Sequence, residues 1–306
     1  MSVAVAPTAV RPFAMFRVQV SRVTRISPRL VRLTFTGPDL HDLADIGYDQ
    51  RIKLVLASAT GTLADMPTGD DWFGLWRLMD TDRRPVIRTY TVRAVRSELA
   101  EVDVDMVDHG DTGPASAFAG TARPGDEVLL YGPHAAYLGE PGGMEFRTDL
   151  AGVTDQLIVG DESAVPAVAS ILERLPEHAR GLACLEVGAA EDVLDLRTPP
   201  GVTLTWCIRG PERGERQREA VRAWLDDHAV VGASHSGTST VVADGEDSAY
   251  WEVTTDRGAD VPPLSAWIAG ESSVVRAMRR LLVGEYDVPR SAVAFMGYWR
   301  EGHREC

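Results

Sequence analysis

The 306-residue chain contains no asparagine and a single lysine, Lys53, so its 31 basic side chains are arginine but for one. Lysine and asparagine share AA-starting codons, so the simplest source of this pattern is a GC-rich genome. Abundant arginine is then no evidence of nucleic-acid binding. The 45 acidic residues give a net charge of -14, which argues against a partner that needs a basic face, such as duplex DNA or an anionic membrane. No apolar run approaches the roughly 18 residues of a membrane span, and the first ten residues lack the basic start and apolar stretch of a signal peptide. The three cysteines, Cys184, Cys207 and Cys306, offer neither a CxxC pair nor a disulfide framework. The seven histidines show no HxxxH spacing, so no protein-held metal is expected. A soluble, cytoplasmic chain that binds no membrane is expected.

What is present divides the chain in two. Period-two alternation at Phe16-Val18-Val20, Leu30 to Phe35, Ile52 to Leu56, Arg88 to Val95, Val102 to Val107 and Glu127 to Tyr131 predicts an antiparallel sheet or barrel. The polar stretch 57–85 reads as a long loop that covers a ligand. Beyond a Gly/Pro-rich stretch near 140–156, short apolar runs alternate with helical ones. Strands are expected at Gln156 to Val159, Leu182 to Val187, Val202 to Ile208, Ala266 to Ala269 and Val293 to Tyr298, and helices at Ala164 to Leu175, Gln217 to His228 and Ser273 to Leu282. That rhythm predicts a doubly wound parallel sheet. The expected domains are a β-barrel over 1–148 and an α/β domain over 149–306. The stretch 230–263 reads as a polar insertion with a possible hairpin.

Three stretches carry chemistry. In Arg88-Thr89-Tyr90-Thr91-Val92-Arg93, alternate residues share a face; a tyrosine ring can stack on a flat heterocycle and an arginine fork can pair with a diphosphate. A decorated, half-exposed strand is the plainer reading. In His109-Gly110 through Gly113-Pro114-Ala115-Ser116, a strand ends in a glycine-rich turn and a helix begins, which offers free N–H groups to an anion; a plain capped turn is the alternative. Gly160-Asp161-Glu162-Ser163-Ala164, with a second strand-end turn at Gly270-Glu271, sits where a doubly wound sheet binds nucleotides, although neither turn is GxGxxG. Trp206, Trp224 and Trp251 read as core or anchoring aromatics.

These stretches, with Arg123-Pro124-Gly125-Asp126, Gly132-Pro133, Thr205-Trp206, Trp267 to Glu271 and Gly297-Tyr298-Trp299-Arg300-Glu301-Gly302, resemble the siderophore-interacting protein family, in the family's order and from about Phe16 to Gly302. The resemblance implies a ferredoxin-reductase-like architecture: a Greek-key FAD-binding β-barrel followed by an NAD(P)H-binding α/β domain. It implies an FAD-dependent ferric-siderophore reductase that passes electrons from NADPH or NADH through FAD to iron, with no catalytic acid or base. Arg88, Thr89, Tyr90, Thr91 and Arg93 would hold FAD, His109 would lie near the flavin, and Gly113, Ala115 and Ser116 would bind the diphosphate. Gly160, Asp161, Glu162, Ser163 and Ala164 would form the nicotinamide turn, with Gly270 and Glu271 beside it. Lys53, in Asp49-Gln50-Arg51-Ile52-Lys53-Leu54, Arg300 and His134 would belong to a basic siderophore pocket; His134 stands where the family often has arginine. A ferredoxin stays open as an alternative donor. So do a general flavin or ferric-chelate reductase and a non-redox siderophore-binding protein. Arg209 and Arg213 pair either with a 2′-phosphate or with water and acids.

Overall fold

The computed structural model describes residues 10–108, 110, 113–147, 153, 155–228, 240–241, 250–253 and 263–302. His109, expected near the flavin, lies outside the described residues, as does most of the 230–263 insertion.

Six strands, β1 (Phe13–Arg25), β2 (Leu30–Thr36), β3 (Arg51–Leu56), β4 (Val86–Arg96), β5 (Glu101–Val107) and β6 (Glu127–Pro133), close into a barrel in the order β1-β2-β5-β4-β3-β6. Every neighbouring pair is antiparallel. Alternation drives the closure. In β1, Phe16, Val18 and Val20 are buried while Arg17 and Gln19 face solvent, and the inward set joins Leu33, Phe35, Ile52, Leu54, Val104 and Leu130 in one core. Each such side chain contributes about 1.5–3 kcal/mol when fully buried.

No residue of the 57–85 segment, read from sequence as a loop over a ligand, lines the cavity between barrel and sheet. The segment contains a short helix, α1 (Trp72–Arg77), and lays Met66 and Trp76 on an apolar outer face of the barrel made by Val55, Ile87 and Leu129. The Trp76 indole donates to the Pro85 carbonyl at 2.8 Å. Its polar composition reflects one exposed side: Met66 and Trp76 pack inward, while Phe73, Leu75 and Leu78 stay exposed.

A second helix, α2 (Pro114–Thr121), follows β5 and starts with proline in its first turn, where the missing N–H costs nothing. The second sheet comprises β7 (Asp155–Gly160), β8 (Arg180–Val187), β9 (Gly201–Ile208), β10 (Thr240–Val241), β11 (Trp251–Val253), β12 (Leu264–Glu271) and β13 (Val293–Trp299), in the order β10-β11-β13-β12-β7-β8-β9. Five of these run parallel. The sheet is nevertheless mixed, because the hairpin β10–β11 adds to β13 antiparallel. Helix α3 (Val165–Arg174) packs on one face with Ile158, Ala183 and Leu185. Helices α4 (Glu215–Asp227) and α5 (Ser272–Arg279) pack on the other with Leu157, Val159 and Ile268. Strand order reverses between β7 and β12, which opens a crevice at their carboxyl ends.

Barrel and sheet are tied together. Arg93 on β4 reaches Glu173 on α3 at 2.5 and 2.9 Å, and Arg174 reaches Asp45 at 2.8 Å. The buried Asp49 carboxylate, just before β3, accepts the Glu145 and Phe146 amides at 3.1 and 2.9 Å and the Trp267 indole of β12 at 2.9 Å.

Candidate functional site

A cavity of about 830 Å³ opens between the barrel and the carboxyl edge of the sheet. That is within the range of sites that enclose a cofactor, roughly 300–1,000 Å³. The barrel contributes Arg88, Thr89, Tyr90 and Thr91 from β4, and Gly113, Ala115 and Ser116 from the entry to α2. The sheet side contributes Glu162 and Ser163 from the turn after β7 and Arg300 from beyond β13. Ten of the residues expected from sequence therefore line one cavity, although they are spread over more than two hundred positions.

Local structure explains their placement. Tyr90 shares the inward side of β4 with Val92 and packs on the end of the barrel core, which leaves part of its ring for the cavity. Thr89 points the other way and accepts from the Lys53 ammonium at 3.3 Å. At Gly113 a β-carbon would meet no atom within 4 Å, so there is free space beside the first N–H groups of α2. A phosphate group suits such a position. Five arginines line the cavity, Arg51, Arg88, Arg209, Arg213 and Arg300, against three carboxylates, Asp105, Glu162 and Glu301. Glu145 and Glu186, just behind the wall, pair with Arg51 and Arg209, and the space, the aromatic ring and the helix start together fit a flavin dinucleotide.

Other expected residues sit behind the wall. Asp161 is buried; one oxygen accepts the Ser163 amide at 2.9 Å and the other accepts the Glu271 amide and the Trp299 indole, both at 2.8 Å. Burial, reinforced by the charge of Glu162, pushes its carboxyl above the ordinary value. Glu271 caps α5 by accepting the Ser273 hydroxyl and the Ser273 and Val274 amides. Burial alone would raise its carboxyl, but those hydrogen bonds hold it below the ordinary value. Gly270 has φ +140°, and a β-carbon there would lie 2.7 Å from the Asp161 carboxyl, so glycine makes the room that lets the two turns lock. Gly160 packs against Ala164 in the same way, its would-be β-carbon 2.6 Å from that methyl. These five residues shape the turns and do not line the cavity.

Three expectations are displaced further. Arg93 does not reach the cavity: a bulge between Val92 and Ala94 turns its side chain onto Glu173 and, at 3.8 Å, Asp105, the re-aiming that bulges produce. His134 follows β6, bridges to Leu43 and accepts the Ala136 amide at 3.1 Å, away from the cavity wall. Lys53 stands in register with Thr89 and Tyr131 on the outer barrel face, next to the cavity but not in its wall.

The structure also adds residues. Trp251, expected as a core or anchoring aromatic, lines the cavity because β11 pairs with β13. Its ring stacks near Tyr298 with centroids 6.2 Å apart, and the Arg51 guanidinium lies over it at 4.4 Å. Arg51 is also held by Glu145 at 2.6 Å. Trp299, Arg209 and Arg213 complete the sheet side. Period-two alternation does put Arg51 on the face of Lys53, but strand pairing alone reveals which of the two meets the cavity.

Known proteins share this arrangement. The siderophore-interacting FAD-binding domain matches residues 19–137, and the siderophore-interacting protein model matches residues 153–302. Ferric vibriobactin reductase ViuB of Vibrio cholerae is 29% identical over 92% of this chain and 87% of its own length. The crystal structure of the siderophore-interacting protein SipS from Aeromonas hydrophila superposes with a TM-score of 0.68 at 30% identity, covering 95% of this chain and 93% of that one. The ferredoxin reductase in carbazole 1,9a-dioxygenase, at 14% identity and TM-score 0.59 over 94% of this chain and 70% of its own, shares the fold. The siderophore-interacting FAD-binding domain and the siderophore-interacting protein model, matched in order along one chain, show that it belongs to the siderophore-interacting protein family.

Proposed function

We propose that this chain is an FAD-dependent ferric-siderophore reductase that takes electrons from a nicotinamide dinucleotide in the cytoplasm. The supporting observation is that the β4 segment Arg88 to Thr91 and the Glu162-Ser163 turn face one another across a single cavity. A barrel-bound flavin and a sheet-bound dinucleotide would thereby meet. The relatives' names, ferric vibriobactin reductase and siderophore-interacting protein, supply the substrate class.

In this reading the barrel, within residues 1–148, holds FAD through the Tyr90 ring, the Arg88 guanidinium, the Thr89 and Thr91 hydroxyls, and Gly113, Ala115 and Ser116 at the start of α2. When bound, the flavin supplies the conversion between a donor of electron pairs and an iron acceptor of single electrons. The sheet, within residues 149–306, presents Glu162 and Ser163 to the donor, while Asp161, Glu271, Gly160, Ala164 and Gly270 fix the turns that carry them. Trp251 and Tyr298 keep water from one side of the cavity. Arg300 and the neighbouring Lys53 attract the anionic ferric chelate, and no side chain transfers a proton in the iron step.

The test is anaerobic. Purified protein is expected to be yellow, to be bleached by a reduced dinucleotide, and to regain its colour on adding a ferric siderophore while a ferrous-specific chelator traps iron. A colourless protein that takes up no FAD sinks the proposal. Reoxidation no faster by ferric siderophores than by ferric citrate favours a general ferric reductase, and bleaching by reduced ferredoxin alone replaces the donor. Lys53→Ala is expected to raise KM for anionic ferric siderophores about two- to fivefold, the scale of an exposed charge pair, with the effect shrinking in high salt. Bleaching by the dinucleotide should keep its rate. An equal change in both half-reactions would remove Lys53 from the substrate side.

A further inference from the structure

Three consecutive parallel strands end in charged residues on the carboxyl edge of the sheet. β7 leads into Glu162, β8 carries Glu186 next to its end, and Arg209 follows β9 directly. The Arg209 amide donates to the Val187 carbonyl at 2.9 Å, which fixes the residue at the end of the ladder. From there its guanidinium spans the strand ends: Nε donates to Glu186 Oε1 at 3.1 Å, and Nη2 contacts Glu162 Oε2. The second Glu162 oxygen faces Arg213 Nη1 at 3.9 Å, and the Arg213 guanidinium lies over the Trp299 ring at 4.8 Å. Glu186 is held in turn by the Gly214 amide at 2.9 Å. Glu162, Arg209, Arg213 and Trp299 all line the cavity.

Two arginine charges are thus offset by two carboxylates within the protein itself, although the buried Arg213 Nη1 makes no hydrogen bond. The Glu162 side chain is 9% exposed and that of Glu186 is 1% exposed. A ribose hydroxyl beside Arg209 and Arg213 adds no charge and leaves this balance intact. A 2′-phosphate brings about two negative charges to a set that is already neutral. To meet it, Arg209 and Arg213 must turn from Glu162, which strands a buried carboxylate without a partner. Selection of this kind works by penalising the wrong ligand.

We propose that Glu162 is a specificity-determining residue that makes this chain select NADH over NADPH. The inference rests on reading the cavity as a flavin site served by a nicotinamide dinucleotide. It accounts for a turn glutamate that contacts Arg209 and faces Arg213.

The FAD-loaded protein is titrated with NAD+ and with NADP+, following tryptophan fluorescence and, independently, the heat of binding; neither readout needs turnover. Wild type is expected to bind NAD+ about tenfold or more tightly than NADP+, and Glu162→Gln to tighten NADP+ about tenfold with NAD+ changed less than about threefold. Adding Arg213→Ala to that variant should remove the gain. A wild-type preference for NADP+ overturns the proposal without any variant. Equal changes for both dinucleotides, no change, or no binding of either also overturn it. The flavin absorbance of the same samples separates the readings: a yellow protein reduced only by ferredoxin keeps the reductase and loses this donor, whereas a colourless protein loses both.

Discussion

Asp49→Ala is expected to destabilise the protein by about 3 kcal/mol, because three buried N–H groups lose their acceptor at once and each such loss costs roughly 1–3 kcal/mol. The donors are the Glu145 and Phe146 amides beyond the barrel and the Trp267 indole within the sheet, so the change weakens the junction between the two halves. Asp49→Asn keeps one acceptor oxygen. Turned toward the two amides, it places its NH2 against the Trp267 N–H, so it should cost less than alanine but remain destabilising. Trp267→Phe removes that conflict, and the Asp49→Asn/Trp267→Phe pair should be less destabilised than the sum of the single changes. Guanidinium unfolding followed by circular dichroism measures all four variants against wild type. Additivity of the pair would count against the contact.

The same residue predicts a pH dependence. Burial pushes the Asp49 carboxyl above the ordinary aspartate value of 3.8, and the donated N–H groups only partly offset this. A group whose pKa is raised by folding binds its proton more tightly in the native state. Its contribution is therefore fully present below 3.8 and is lost as pH rises through the higher native value. The stability of wild type relative to Asp49→Asn should fall over that interval and then level off. A difference that grows with pH would show the carboxylate to be stabilised instead.

Tyr90→Ala is expected to lower FAD affinity by about ten- to a hundredfold, as loss of an aromatic platform under a base costs roughly 1–3 kcal/mol. Tyr90 lines the cavity between Arg88 and Thr91 while packing on the barrel core, so its ring is held in place before any ligand binds and loses little freedom on binding. Tyr90→Phe keeps the ring and should retain most of the flavin. The measurement is absorbance of FAD per chain after desalting, with circular dichroism to verify the fold. Full FAD retention by Tyr90→Ala would take the ring out of the site.

Much of the fold is written in local pattern. The alternation of Phe16, Val18 and Val20 or of Leu30 to Phe35 admits little but a strand with one buried face. The helix beginning at Val165 and the one beginning at Glu215 follow from spacing of three and four between apolar residues. The turns at Gly113 and Glu162 read as strand-to-helix junctions because glycine, proline and serine stand where such junctions need them. Composition misled at 57–85: a segment that buries only one thin side looks like a loop, yet it carries α1 and covers the barrel wall.

The rest depends on pairings between distant residues, which no short window contains. Cys184 and Cys207 are separated by 22 intervening positions in sequence, yet the parallel register of β8 and β9 brings their sulfurs to 3.7 Å in the buried core. Trp251 became a cavity residue because β11 joins β13 and not another edge, and Arg93 left the cavity because of one bulge. The sequence by itself determined the two kinds of domain, their order, and most of the residues that face the cavity, since strand period and turn chemistry act over a few residues. Only the tertiary structure decided that Arg209 and Arg213 meet carboxylates: charge pairing is set by where three strands end in space, and that register is fixed by the burial of the whole sheet.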